Sequence, residues 1–353
     1  MHIENISTPA LVLDKEIFEN NEKYMDELLG KRTLKLRPHY KSHKCAAIAH
    51  RQIEKGAVGI TCAKLEEAKD LAESGIEDIL IANQITDKNK ISVMAHLAKA
   101  CRLTVLVDDK QNIIDIEGAA SFAGSEIHIL IEYEIGMKRC GVSTKEEVLS
   151  LVKVIKECPH LVFDGIQAYA GHLSHAESLS ERSKRSKENA DKLRELIRYL
   201  QDNNVSVNTV SGGSTGTSVV KVKENLYTEL QAGSYLFMDA TYDRLGLPFK
   251  PSLFILATVV SVSNGIAVVD AGVKSCGVDQ GMPLPMGFTV SEVVASEEHF
   301  QLHNPSKELS VGEKVLLLPA HCCSTVNLHN HIFLIERERV VDRITVTARG
   351  CFH

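Results

Sequence analysis

Residues 102–133, RLTVLVDDKQNIIDIEGAASFAGSEIHILIEY, decide the fold: two β-branched runs, Arg102–Asp108 and Glu126–Tyr133, flank a long amphipathic stretch. That pattern reads as two parallel strands joined by a crossover helix, the repeating unit of a parallel sheet. The same alternation extends outward from about residue 33 to residue 240, with further strand-like runs at Leu34–Lys41, Val58–Ala63, Asp78–Asn83, Asp164–Ala170, Asn208–Gly212 and Glu229–Phe237. Segments such as Lys64–Ser74 and Glu181–Gln201 read as helices between them. Eight parallel strands with intervening helices close most naturally into a TIM-type (β/α)8 barrel, a doubly wound sheet being the alternative.

After Asp243 the character changes. LFILATVVSVSNGIAVVDAG (253–272), Glu313–Leu318 and His331–Val346 are β-rich, with turn residues between and little helical periodicity. The expected organisation is therefore an α/β barrel over residues 10–243 and a mainly-β domain over residues 244–353. Residues 1–9 are open to either, since STPALVLD reads as a strand leading into a helix at Lys15–Leu29.

A chain of 353 residues accommodates such a pair of domains, because single cores stop growing near ~250–300 residues. Its 44% hydrophobic and 24% charged content is that of a globular protein, and no run approaches the ~18 apolar residues of a membrane helix. The net charge of −6, without a basic run interleaved with aromatics, argues against nucleic acid as a partner. Nine scattered cysteines with no CxxC pair fit a reducing compartment, and the opening MHIENISTPALVLD lacks the features of a secretory signal, so a cytoplasmic location is expected.

Three stretches carry chemistry. LRPHYKSHK (36–44) places His39, Lys41, His43 and Lys44 at the end of the first barrel strand, the rim where such barrels hold catalytic groups. Strand alternation would point 39, 41 and 43 to one side, and a lysine amine there can form a Schiff base. SGGSTGT (211–217) and QAGSYLFMD (231–239) follow the last two barrel strands and offer unhindered backbone N–H groups and hydroxyls, an anion cradle where barrel phosphate sites commonly form. PAHCCSTVN (319–327) sets His321 and Cys323 two residues apart, a spacing that in an extended segment faces imidazole and thiolate the same way. Together they suit Zn²⁺, with positions left for water and substrate. His329 and His331 are open as further ligands or as residues of a surface turn.

With these residues in hand, the chain resembles the fold-type III pyridoxal-phosphate enzymes, and within them the group of zinc-dependent D-serine dehydratase and D-threonine aldolase. The landmarks run in order along nearly the whole chain: TPALVLD, RPHYKSHK, IANQ (81–84), EIGMKRCGV (134–142), IQAYAGH (166–172), SGGSTGT, QAGSYLFMD, PAHCCSTVN and ARGCF (348–352). The resemblance implies that Lys41 carries pyridoxal 5'-phosphate and Lys44 is a bystander. It implies Arg139 near the pyridine nitrogen, Tyr169 beside the ring, Ser214, Thr215, Gly233, Ser234 and Tyr235 around the phosphate, and Gln84 at the ring's edge. His321 and Cys323 are implied to hold zinc near the same pocket. His-x-Cys is the pattern of the dehydratase branch, whereas the aldolase branch typically shows His-x-Asp, so the expectation is a D-serine dehydratase-like lyase that eliminates water from a β-hydroxy D-amino acid to give a 2-oxo acid and ammonia. Two departures stand: Cys322 could compete as the ligand, and EIGMKRCGV lacks the acidic residue that some relatives carry after the isoleucine.

The alternatives are a D-threonine or 3-hydroxy-D-aspartate aldolase, which would need nearly the same hardware, and a non-catalytic pyridoxal-phosphate carrier, against which the β domain and its metal pair argue. A racemase would want a second base, usually a tyrosine of a partner's β domain, and this chain has no tyrosine after Tyr242. The resemblance implies a homodimer acting on a small D-amino acid.

Overall fold

The computed structural model describes residues 1–176 and 178–353. They divide into two compact units: a β-rich unit of Met1–Glu27, Ser42–Ala47 and Ser234–Gly350, and an α/β unit of Leu28–Lys41, Ile48–Gly233 and Cys351–His353.

The first strand, β1 (Ala10–Asp14), belongs to the β-rich unit and is followed by the helix Lys15–Leu29. The strands of the α/β unit are β2 (Lys35–Leu36), β3 (Ile60–Cys62), β4 (Asp78–Gln84), β5 (Arg102–Val107), β6 (Ile127–Glu132), β7 (Leu161–Ala168), β8 (Thr209–Gly212) and β9 (Glu229–Leu230). They pair in parallel, in the order β2-β9-β8-β7-β6-β5-β4-β3. Beyond β2 the chain also reaches β3: His39 forms a parallel bridge with Thr61, Val58 N donates to Leu36 O at 2.9 Å and Thr61 N to Pro38 O at 2.8 Å. These bonds bring the two ends of the curled sheet together, as a (β/α)8 barrel requires. Each of the eight runs expected from the sequence overlaps one of these strands, β7 starting three residues before its run and β4 ending one residue beyond its run. The first and last are much shorter than their apolar runs, since Tyr40–Ser42 and Ser234–Leu236 turn into 3₁₀ helix.

Local sequence explains why the intervening segments are helices. The helix Lys145–Lys156 opens with a capping box in which Thr144 and Glu147 satisfy each other's backbone N–H groups, and it buries Val148, Leu151, Val152 and Ile155, the spacing of one helical face. Asp109 caps the helix Lys110–Ala123 by accepting from Asn112 N, and Gly124 ends it at φ 64°, a conformation that costs glycine little. Leu80, Leu106 and Leu130 on adjacent strands form an apolar cluster with Ala82 packed against it.

The β-rich unit continues with β10 (Leu253–Ser263), β11 (Ile266–Val269), β12 (Leu284–Pro285), β13 (Glu292–Ala295), β14 (Phe300–His303), β15 (Lys314–Leu318), β16 (His331–Glu336) and β17 (Arg339–Thr345). Its sheet runs β13-β14-β11-β10-β1-β16-β17, with β15 paired to both β10 and β12. The STPALVLD stretch thus supplies a central strand here: β1 runs antiparallel to β10 and parallel to β16. Ile6, Ala10, Val12, Phe254, Leu256 and Leu318 make up a buried cluster of this unit. Among the described residues no helix is long and apolar enough to cross a membrane.

Candidate functional site

In the α/β unit, Lys41 lies in the 3₁₀ turn that follows β2, half-buried, next to the buried His39. The expectation that residues 39, 41 and 43 share one side through strand alternation is corrected here, because a 3₁₀ turn repeats every three residues rather than every two. His43 belongs to the β-rich unit, where its ring is fully buried and Nδ1 accepts from Cys45 N at 3.2 Å. Lys44, in the same unit, has φ 52° and directs its amine to the Ala348 carbonyl at 3.4 Å.

Arg139 sits on the loop that leaves β6, with its guanidinium carbon 5.8 Å from the centre of the Tyr169 ring, within cation–π range. Gly171 makes room for that ring, since a Cβ there would come within 2.7 Å of it. The loop is shaped by Glu134, whose carboxylate accepts from Gly136 N at 2.6 Å and Lys138 N at 2.7 Å. Burial alone would raise the Glu134 carboxyl, and these amides hold it below its usual value. Gln84, at the end of β4, donates from Nε2 to Glu132 at 2.5 Å and to Asp108 at 3.3 Å.

Ser214 and Thr215 occupy the loop after β8. Ser214 is tied to Ser174 by a hydroxyl–hydroxyl contact of 2.5 Å and its N–H donates to Thr217 Oγ1 at 3.0 Å. Gly216 presses so closely on Ser174 that a Cβ would stand 3.0 Å from its Cα. Thr215 Oγ1, by contrast, is buried with no hydrogen-bond partner among the described residues. A buried hydroxyl is rarely left so. It lies in a glycine-rich loop opening onto a helix, the arrangement that receives a phosphate oxygen, so these residues fit the phosphate of the implied cofactor. Gly233 ends the α/β unit, buried in the loop after β9. Ser234 and Tyr235 fall in the β-rich unit. Ser234 O accepts from Met238 N at 2.7 Å, and the buried Tyr235 ring meets Phe249 edge-on at 5.9 Å.

In the β-rich unit His321 is the extended residue that precedes the short helix Cys322–Val326, and Cys323 lies in its first turn. The two still interact, though through a helix start rather than through strand alternation. His321 Nδ1 faces the Asp279 carboxylate at 2.6 Å, and Asp279 also accepts from Ser324 Oγ at 2.5 Å. A carboxylate on Nδ1 fixes the tautomer and leaves Nε2 as the donor to a metal. Burial works against the imidazolium, but Cys323 and Asp279 outweigh it and push His321 up to about 9. Cys323 is half-buried and contacts Ser42 Oγ at 3.6 Å, whereas Cys322 is fully buried, with its N–H on Asp239 at 3.0 Å. The neighbouring Cys323, together with burial, drives the Cys322 thiol well above its usual value. The donors His321 and Cys323 fit a borderline-soft ion. Among the described residues no group of three or more His, Cys, Asp or Glu side chains is placed to hold a metal ion. His329 is held by the Ser275 carbonyl at 2.7 Å.

Reading the sequence missed Asp279, Glu132 and Asp108. Asp279 lies far along the chain from His321, and nothing local marks it. Glu132 and Asp108 carried a usable signal, being carboxylates at the C-terminal ends of barrel strands, where catalytic machinery gathers.

Comparison with known proteins agrees with this layout. The family model described as alanine racemase, N-terminal domain, matches residues 13–241, and that of a putative serine dehydratase domain matches residues 252–335. The chain is similar to 3-hydroxy-D-aspartate aldolase of Paracoccus denitrificans, with 36% identity over 99% of this chain and 94% of the relative. It is 34% identical to D-threonine aldolase of Arthrobacter, with the same coverage of both chains. The crystal structure of D-threonine aldolase from Filomicrobium marinum superposes with a TM-score of 0.95 at 37% identity, covering 99% of this chain and 98% of that one. D-serine dehydratase of Dictyostelium discoideum is 24% identical over 96% of each chain. The expectation of a D-serine dehydratase is thereby shifted toward its aldolase alternative. On this evidence of sequence, fold and residues, the chain belongs to the fold-type III pyridoxal-phosphate enzymes, in the superfamily that joins alanine racemase to the aldolases and dehydratases of hydroxy-D-amino acids.

Proposed function

We propose that the protein is a pyridoxal-phosphate- and zinc-dependent aldolase that cleaves a β-hydroxy D-amino acid, of the D-threonine or 3-hydroxy-D-aspartate type, into glycine and an aldehyde. One observation carries this reading: full-length identity of 34–36% to curated aldolases against 24% to a D-serine dehydratase. Lys41 would hold the cofactor, Arg139 and Tyr169 its ring, and Ser214, Thr215, Gly233, Ser234 and Tyr235 its phosphate. The orphaned Thr215 hydroxyl is the structural support for the last group. When bound, the cofactor supplies an electron sink for the carbon left by cleavage. His321 and Cys323 would hold the zinc ion, which as a Lewis acid supplies charge stabilisation at the substrate's β-oxygen. In the proposed cleavage a base takes the β-hydroxyl proton, the Cα–Cβ bond breaks with its electrons on Cα, and the ammonium form of Lys41 delivers a proton there to complete glycine, the proton held by the base restoring Lys41.

Elimination of water is the second reading, and Cys323 favours it, since the aldolase branch typically carries aspartate at that position. Both readings take the enzyme as a cytoplasmic homodimer, with nine cysteines that form no disulfide among the described residues, in keeping with a reducing compartment. The deciding experiment incubates protein loaded with cofactor and zinc with D-threonine, 3-hydroxy-D-aspartate and D-serine and follows glycine, aldehyde, 2-oxo acid and ammonia together. Glycine with aldehyde is expected. A 2-oxo acid with ammonia from the same substrates overturns the aldolase reading in favour of the dehydratase, and no turnover of any substrate would point to a cofactor carrier.

A further inference from the structure

We propose that Gln84, Glu132 and Asp108 form a positioning assembly for Arg139, in which one amide shared by the buried Glu132 and the half-buried Asp108 sets the guanidinium in place. The proposal rests on the assignment of Arg139 to the ring of the cofactor, and it moves Gln84 from contact with the ring to support of the residue that makes that contact.

The geometry begins in β4. Its pairing with β5 slips between Ile81 and Gln84, and such a bulge re-aims the side chain that follows it. Asn83 braces the slip, donating from Nδ2 to the Ala63 carbonyl at 3.1 Å and accepting from Gln84 N at 3.1 Å. Gln84 Nε2 thereby reaches Glu132 at the end of β6 and Asp108 just past β5. It is the amide nitrogen, not the amide oxygen, that faces both carboxyl groups, as a donor must. Glu132 is 6% exposed, too buried for water to do the work of Gln84.

Both carboxylate residues also hold the base of the loop that carries Arg139. Asp108 accepts from Gly141 N at 2.7 Å, and the Glu132 carbonyl accepts from Val142 N at 3.0 Å. Gly136, Lys138 and Gly141 within this loop have φ of 112°, 52° and 101°, so it is not a regular turn that would keep its own shape. Burial, helped by the Asp108 charge, raises the Glu132 carboxyl above its usual value, while the Gln84 amide and the Arg139 charge pull it back down. Breaking the shared amide should therefore loosen the base of the Arg139 loop.

The test compares wild-type protein with the variants Gln84→Ala, Glu132→Gln and Arg139→Lys. Each is stripped of cofactor and titrated with pyridoxal 5'-phosphate, reading the affinity and the absorption band of the bound form, with circular dichroism and melting of the apo-protein as controls. We expect Gln84→Ala and Glu132→Gln to weaken cofactor binding on the order of tenfold and to move the band in the same direction as Arg139→Lys. If Arg139→Lys moves the band and the other two keep the wild-type band and affinity, the assembly does not position Arg139. If Arg139→Lys itself changes nothing, the assignment of Arg139 is wrong and the proposal falls with it. A variant whose apo-protein melts early yet binds cofactor with the wild-type band marks the network as structural only, which also overturns the proposal.

Discussion

Asp279 Oδ2 lies 2.6 Å from Nδ1 of His321, so a carboxylate stands behind the imidazole that is read as a metal ligand. Partners of this kind orient the ring and raise its basicity as a ligand. Asp279→Ala should lower zinc affinity roughly 10–100-fold while leaving the fold intact, since the Asp279 side chain is 47% exposed. Metal content after dialysis against a graded chelator checks it.

The two adjacent cysteines should behave oppositely. Cys323→Ala is expected to abolish bound metal and turnover, whereas Cys322→Ala should retain metal, because the Cys322 thiol is fully buried beside Asp239 and Cys323 is the half-buried member of the pair. Elemental analysis of both purified variants distinguishes them. Metal retained by Cys323→Ala and lost by Cys322→Ala would reverse the assignment.

Thr215→Val keeps the shape of a buried side chain and removes its only polar atom, the hydroxyl that has no partner among the described residues. Stability of the apo-protein should hold or rise slightly, since an unsatisfied buried group is removed. Cofactor affinity should fall about tenfold, the worth of one hydrogen bond to a charged phosphate. The opposite signs of the two effects, read by melting and by cofactor titration, separate a phosphate contact from a packing role.

At the other end of the barrel strands, Asp164 pairs with His128 at 3.0 Å and with Arg102. Burial opposes its ionisation, but these partners outweigh burial and hold the carboxyl below its usual value. A carboxyl with a depressed folded-state pKa contributes stability above its unfolded value of ~3.9 and loses it as pH falls through the folded value. Asp164→Asn should therefore cost about 1–2 kcal/mol near neutral pH, with the difference from wild type shrinking in acid below about pH 4. Denaturant unfolding of both proteins across that range provides the comparison.

Leu106 is 1% exposed and packs in the cluster with Leu80 and Leu130. Leu106→Ala should destabilise the protein by about 3 kcal/mol through lost burial and the cavity left behind. Chemical denaturation measures the loss.

Much of this protein was determined by its sequence alone. Alternation of β-branched and amphipathic segments is a local property, so all eight barrel strands and the helix Lys15–Leu29 were legible, and RPHYKSHK, SGGSTGT and HCC mark themselves because their chemistry sits in consecutive residues. Only the tertiary structure decided which carboxylates stand behind them. Asp279 reaches His321, and Gln84 reaches Glu132 and Asp108, across long separations in the chain and, for Gln84, through a slip in strand register that no local pattern announces. The same holds for the N-terminal strand, whose two neighbours, β10 and β16, are far away in sequence. The physical reason is common to all three: periodicity records which face of an element is buried, while the partner of a polar group or of a strand is chosen by where folding within each unit brings distant segments together.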